Sequence, residues 1–298
     1  MERGEASTRL REAIQLDDTS LVQRMLKESP QSLQNPDFSD KSNTSLHLAA
    51  LYGHAEIAEY LISLGHDREV DPDFQEYIWS PDCTNLGTSI NTDGHSPLHL
   101  AAAYSRPDCV ELLCTQFPKT VNRADKHGRT PLHLAAGAHI EPRVALQTAR
   151  PSKPASNEDV SVIETLVAHG ARLDAQDSKG NTCLHYATAW GNLKAVRALV
   201  EAGAVPTSTN REGWKPNAYS LTVQADVYYK ALVTDWEKRR EEDAQRESER
   251  SHSRSVRLVQ ADDGDDYSSR SRAGSARSHG TSNTDTGLGI SAPTMEAF

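Results

Sequence analysis

Large apolar residues are scarce in this 298-residue chain: hydrophobic side chains make up 37% of it and aromatic ones 6%. No run of about 18 apolar residues occurs, so no membrane-spanning helix is expected. Met1-Glu2-Arg3-Gly4-Glu5 leads into no apolar stretch, so no signal peptide is expected there. Cysteine is nearly absent as well. The four thiols (Cys83, Cys109, Cys114, Cys183) lack C-x-x-C spacing, which excludes a zinc ribbon or a dithiol redox motif, and reduced, packed thiols fit a cytoplasmic setting.

An excess of positive charge is also missing. Lys and Arg number 32 against 42 Asp and Glu, a net charge of −10. Residues 237–298 hold 10 basic and 12 acidic groups (net −2), which leaves −8 for residues 1–236. An acidic body argues against direct nucleic-acid binding and leaves basic protein surfaces open as partners. The motifs G-x-x-x-x-G-K-[ST], G-x-S-x-G and H-E-x-x-H do not occur. The acidic pairs Asp262-Asp263 and Asp265-Asp266 stand in a low-complexity stretch where nothing fixes their geometry. No catalytic residue, cofactor or metal is therefore expected, and the chain does not read as an enzyme.

What the sequence does contain is repetition. Thr130-Pro131-Leu132-His133-Leu134-Ala135-Ala136 has near-copies at Thr44–Ala50, Ser96–Ala102 and Thr182–Ala187. Each reads as a helix start. Thr or Ser is the N-cap, Pro97 and Pro131 sit at the first helical position where a missing N–H costs nothing, and Leu with the Ala pair makes a small apolar face. The four His are 52, 34 and 52 residues apart. The middle spacing is about one repeat of 33 residues, and the outer ones are that period plus roughly 19 inserted residues. A second apolar set at i, i+3, i+4 follows each heptad: Ile57, Tyr60, Leu61; Val110, Leu113, Cys114; Ile163, Leu166, Val167; Val196, Leu199, Val200. Each unit is thus a helix pair, and the sequence resembles the ankyrin-repeat family. That resemblance implies an all-α solenoid of helix-turn-helix units joined by hairpin loops.

The array is read over residues 8–236. Residues 8–36 form an atypical first repeat whose Arg9, Arg11 and Glu12 dot its first helix with charge, as expected of a terminal unit with a solvent-facing side. Residues 40–67 are the second repeat. An acidic, aromatic insertion at 68–91 follows, with Phe74, Tyr77 and Trp79. A loop this long in a compact array is often functional, but the simpler reading is a loop that folds back and packs its own aromatics. The third repeat spans 92–124. The fourth spans 125–176 and is split by a basic, Pro-rich insertion near 139–158. The fifth spans 177–207, and 208–236 is a degenerate closing cap in which Ala218 falls where His should be. Residues 237–250 are nearly all charged and suit a helical extension of the cap. Residues 251–298, rich in Ser, Arg, Asp and Gly, are expected to form a disordered tail. There Ser253 and Ser275 each follow an Arg by three residues, a pattern some kinases modify.

Other segments carry a narrower resemblance. Arg9–Ile14, Leu33–Asp37, Ser63–Asp67, Gln116–Pro118, Gly180–His185 and Trp214–Pro216 are similar, in that order, to a family of fungal ankyrin-repeat accessory subunits of target-of-rapamycin kinase complex two. The resemblance covers residues 9–236; the two insertions are longer than the family pattern. It implies a non-catalytic, cytoplasmic subunit that docks on the kinase complex and helps present substrates at the plasma-membrane periphery. Phosphoinositide-binding adaptor proteins are among the partners it implies. The alternative is a stand-alone adaptor or inhibitor of another signalling enzyme or transcription factor.

Four His in register invite a metal reading. Zinc needs three or four ligands converging at about 2.0–2.3 Å, whereas one His per repeat spreads the rings in a row. The expected role is structural, each ring bonding hydroxyl and backbone groups at its helix start. The family's hairpin tips and first-helix ends form a concave binding surface. Here that maps onto Tyr52, Tyr104 and Trp190, in equivalent positions, and onto Asp93, Lys126, His127, Lys179 and Arg211 at the tips; the alternative is that the aromatics only cover neighbouring repeats. Phe74, Tyr77 and Trp79 are a candidate second contact.

Overall fold

The computed structural model describes residues 2–38, 40–67, 89–137, 160–220 and 222–260, with side chains from Glu5 to Arg250. The 139–158 insertion, most of 68–91 with Phe74, Tyr77 and Trp79, Ser275, and the chain from 261 lie outside these residues. So does the side chain of Ser253.

In order, the helices are α1 (Glu2–Gln15), α2 (Thr19–Glu28), α3 (Ser45–Tyr52), α4 (Ala55–Ser63), α5 (Pro97–Ala103), α6 (Pro107–Gln116), α7 (Pro131–Ala136), α8 (Ser161–Ala168), α9 (Cys183–Ala189), α10 (Leu193–Glu201) and α11 (Val223–Gln260). No strand forms among the described residues; one isolated bridge joins Asp37 to Asn43. The chain divides into two units, Met1–Asp243 with the helix pairs and Ala244–Phe298. α11 continues ten residues past the boundary drawn at 250.

The helix pairs make two layers. α3 packs on α5, α5 on α7 and α7 on α9, while α4, α6, α8 and α10 stack in the second layer. Small side chains make the inner layer possible: Ala49, Ala50, Ala101, Ala102, Ala136 and Ala187 are fully buried, beside Leu46, Leu98, Leu132 and Leu184. The outer helices contribute Ile57, Leu61, Val110, Leu113, Ile163, Leu166, Val196 and Leu199 to the same core. Cys109, Cys114 and Cys183 pack there too, and burial pushes each thiol up to about 12, so they act as small apolar residues. In the closing repeat the first helix shrinks to one 3₁₀ turn, Pro216–Tyr219, and α11 buries Ala225 and Tyr229.

Each heptad forms a capping box in which His replaces the usual acidic residue. The N-cap backbone N–H of Thr44, Ser96, Thr130 and Thr182 donates to Nδ1 of the His three residues on, at 3.3, 3.2, 3.1 and 3.1 Å. That places the ring proton on Nε2, which donates to a carbonyl of the following hairpin. The pairs are His47 to His95 (3.0 Å), His99 to Arg129 (3.2 Å), His133 to Asn181 (3.1 Å) and His185 to Trp214 (3.1 Å). Burial disfavours the imidazolium, lowering His47 to about 4 and His99 to about 3, and lowering His133 and His185 in the same direction. The first repeat departs from expectation. Arg11 stands in the His register and is buried rather than solvent-facing. Its Nη1 donates to the carbonyl oxygens of Asn43 (2.9 Å) and Asn35 (3.1 Å), and its guanidinium pairs with Asp37 and Asp40. The guanidinium supplies the donating half of the imidazole's role; it has no acceptor for an N-cap N–H, and at this point inside α1 there is no helix start to cap.

The hairpins are equally regular. The side-chain oxygens of Asn91, Asp125, Asp177 and Asn210 each accept the backbone N–H groups two and four residues on, at 2.8–3.0 Å. Successive hairpins are joined by Thr92 N–H to Lys41 O, Lys126 N–H to Asp93 O, Ser178 N–H to His127 O and Arg211 N–H to Lys179 O. Gly128 shows what this proximity demands. Its φ is +78°, and a Cβ there would lie 2.8 Å from the Ser178 nitrogen.

Two outcomes test this account. Gly128→Ala should lose about 2 kcal/mol or more of unfolding free energy in urea, because backbone strain and overlap add. Gly191→Ala, also at positive φ but with nothing within 4 Å, should lose only about 1 kcal/mol; equal losses would refute the role of hairpin contact. The second concerns pH. The depressed His titrate higher in the unfolded chain, near 6.5, so that state binds more protons below this value. Stability is full above pH 6.5 and falls as pH drops toward the folded values, by up to about 1.4 kcal/mol per unit for each His. His99→Gln should flatten the dependence between pH 6 and 5 by about that amount. An unchanged slope in urea titrations would show that His99 is not buried neutral.

Candidate functional site: a docking groove

The hairpin tips and the ends of the first helices line one face of the array, marked by two adjoining depressions. One, of about 570 Å³, lies among His127, Lys179, Ala189, Trp190 and Tyr219; the other, of about 460 Å³, among Leu51, Leu100, Ala103, Tyr104 and Leu134. Arg129, Tyr186 and Trp190 line both.

The three register aromatics have different fates. Trp190 is 53% exposed, Tyr104 is half-buried, and Tyr52, expected on the docking face, is only 7% exposed and belongs to the core. The cause is where each helix ends. Tyr104 and Trp190 are themselves C-caps, whereas α3 runs one residue further and is closed by Gly53 in the left-handed conformation. Tyr52 therefore stays inside the helix, its ring stacked 6.0 Å from that of His54, and lines neither depression.

Trp190 is held by a missing side chain. A Cβ on Gly137 would lie 3.0 Å from Trp190 Cδ1 and 3.2 Å from Tyr186 Cδ1, so both rings rest over Gly137. Tyr186 is further fixed by its O–H, which donates to Asp177 Oδ2 at 2.8 Å, and by an edge-on contact with the His133 ring at 5.5 Å. Burial and the adjacent Asp177 carboxylate both raise the Tyr186 phenol above its ordinary value, so it remains a donor.

The tip residues split into committed and open charges. Asp93 accepts from Lys41 Nζ at 2.9 Å, and that bond holds its carboxyl below the usual range. Burial alone would raise Asp125, but hydrogen bonds from the Arg129 backbone and guanidinium outweigh it and keep it ionised. Arg129 Nε lies 2.8 Å from Asp125 Oδ2, and His95 Nε2 lies 3.2 Å from the same oxygen. Asp177 is likewise buried and likewise kept ionised, by Tyr186, Asn181 and Lys179. Lys126, His127, Lys179 and Arg211 are exposed. Arg129, Tyr186 and Lys41 were not singled out from the sequence. The signal for Tyr186 was present, since the residue after the heptad His is Leu in three copies and Tyr in the fourth.

Such a face can bury an apolar side chain beside cations, which is recognition chemistry. Among the described residues no group of three or more His, Cys, Asp or Glu side chains is arranged to hold a metal, and no helix is long and apolar enough to cross a membrane. The geometry defines a helical-repeat interaction scaffold. Family profiles of ankyrin repeats match residues 41–74, 75–142 and 155–200, and the chain belongs to the ankyrin-repeat family. It resembles the target of rapamycin complex 2 subunit AVO2 of Saccharomyces cerevisiae, at 28% identity over 79% of this chain and 47% of that protein. It is also similar to the NF-kappa-B inhibitor zeta of Mus musculus, 29% identical over 54% of this chain and 24% of that one. The ankyrin repeat protein nuc-2 of Neurospora crassa is 29% identical over 59% of this chain and 16% of its own length. The chain thus spans about half the length of the first of these relatives and less of the others.

If Gly137 seats Trp190, Gly137→Leu should displace the indole. Tryptophan emission should shift in the otherwise native chain and stay unshifted when Gly137→Leu is made in a Trp190→Phe background. A shift of equal size in both backgrounds would mean that another Trp reports.

Proposed function

We propose that this chain is a non-catalytic accessory subunit of a target-of-rapamycin complex two kinase. On this reading the groove beside Tyr104, Tyr186 and Trp190 holds a protein partner: a subunit of the kinase complex, or a phosphoinositide-binding adaptor through which the complex works at the plasma-membrane periphery. The observation that carries it is the 239-residue similarity to the target of rapamycin complex 2 subunit AVO2, longer than the 178 and 194 residues matched in the NF-kappa-B inhibitor zeta and nuc-2. The groove supports the same reading. Large aromatic side chains bury much area for little entropy and are frequent hot spots, and a half-exposed Trp over a glycine is poorly explained by stability alone. Phe74, Tyr77 and Trp79 of the first insertion are proposed as a second contact, with Ser253 and Ser275 as modification sites that change charge near neighbouring Arg residues. A second reading, a stand-alone adaptor or inhibitor, is favoured by the similarity to the NF-kappa-B inhibitor zeta.

Purification of the tagged full chain from its native cells, with quantitative mass spectrometry, separates the two. Stoichiometric recovery of the kinase and its core subunits is the expected result, and their absence beside another abundant partner would leave the stand-alone reading. Trp190→Ala should keep the protein folded and weaken co-purification by about 2 kcal/mol or more, roughly 30-fold in affinity. Native-like recovery with folded Trp190→Ala and Tyr104→Ala chains would move the docking site off this groove.

A further inference from the structure

We propose that the occupant of the groove is an extended, acidic segment of a partner protein that inserts one large apolar side chain beside Trp190. The inference rests on the docking reading above and adds the chemistry of what docks.

The charge argument comes from which side chains are already committed. The carboxylates that line the depressions are engaged inside the protein, Asp40 by Arg11 and Asn43 and Asp177 by Tyr186 and Asn181, and so are those of the neighbouring hairpins, Asp93 by Lys41 and Asp125 by Arg129 and His95. Lys126, Lys179 and Arg211 have no ion-pair partner among the described residues and are exposed. They stand on three consecutive hairpins that hydrogen-bond to one another through Ser178 N–H to His127 O and Arg211 N–H to Lys179 O. The backbones that carry the three cations are therefore tied together in a row. Of these three tips only the last also exposes a carboxylate, Glu212. A basic row on a chain of net charge −10 is the reverse of the background and selects ligands of negative charge by complementarity.

The apolar argument comes from the depression beside Lys179 and Trp190. Its wall of Trp190, Ala189 and Tyr219 adjoins Lys179 and His127, and its volume of about 570 Å³ accommodates one bulky side chain with its flanking backbone. A row of cations stepping repeat by repeat, with one apolar seat beside it, suits an extended segment: carboxylates meet the tips while a single anchor enters the seat.

The test begins with a randomised 12-residue peptide library displayed on phage and selected on the immobilised full chain. The expected sequences place Asp or Glu around one Trp, Phe or Leu. The best of them, made as a labelled synthetic peptide, should bind the triple variant Lys126→Glu/Lys179→Glu/Arg211→Glu at least tenfold more weakly. It should bind Trp190→Ala at least tenfold more weakly too, and lose affinity as salt rises from 50 to 300 mM. Unchanged melting curves keep misfolding out of the comparison. Selected peptides that need Trp190 but carry no acidic residues would overturn this inference and leave the groove as the docking site. Peptides indifferent to both variants would overturn the groove itself. A library that yields no enriched sequence would sink the linear-segment assignment. By composition the competing occupant is the chain's own Asp262-Asp263-Gly264-Asp265-Asp266-Tyr267. Tenfold tighter peptide binding after Asp262, Asp263, Asp265 and Asp266 are all changed to Asn would assign the groove to that segment and overturn the assignment to a partner.

Discussion

The imidazole that joins one repeat to the next is the constraint from which the rest of the array follows. Nδ1 satisfies an N-cap N–H in its own repeat, and Nε2 satisfies a hairpin carbonyl in the following one. Both groups are buried, so each would carry a desolvation cost if left alone. The ring can serve both only if it is neutral and if the next hairpin sits at a fixed height. That height puts the hairpins close enough for their backbones to bond, and it sets the first helices side by side on alanine faces. The hydrophobic core adds most of the stabilisation, and its driving force is non-directional. The polar relay adds the directional constraint on register that close packing of the alanine faces then fits.

The ends of the array support this reading of cause. At the start, a relay to the second repeat is still needed, and Arg11 provides it at the His position with hydrogen bonds to Asn43 and Asn35. At the finish no described hairpin follows, and Ala218 occupies the His register without loss.

Most of this was legible in the residues, because a capping signal repeated with an apolar period is local chemistry. The helix starts, the second-layer faces and the structural role of the His could be read without coordinates. What escaped depends on neighbours distant in sequence. Arg11 looks like a surface charge until two hairpin carbonyls and two carboxylates are brought to it. Tyr52, Tyr104 and Trp190 are equivalent in register, yet a one-residue difference in helix length buries the first and exposes the last. Tyr186 was visible as a departure from Leu, but its importance came only with Asp177 and Gly137 beside it. The charge row was visible as residue types; that the facing carboxylates were already paired was not.

The relay is also directional, and that governs how such a chain can be edited. Every internal repeat carries one acceptor carbonyl for the repeat before it and one imidazole N–H for the repeat after it, so an internal unit can be duplicated or excised and the bonds still close. A cut after any of the first five repeats is different: it removes the carbonyl that receives His47, His99, His133, His185 or Arg11 and bares the apolar face packed beside it. A shortened array therefore has to end on a unit like residues 208–236, with no side chain left asking for a neighbour. In this chain, length is variable in principle, but the terminating unit is not interchangeable with the others.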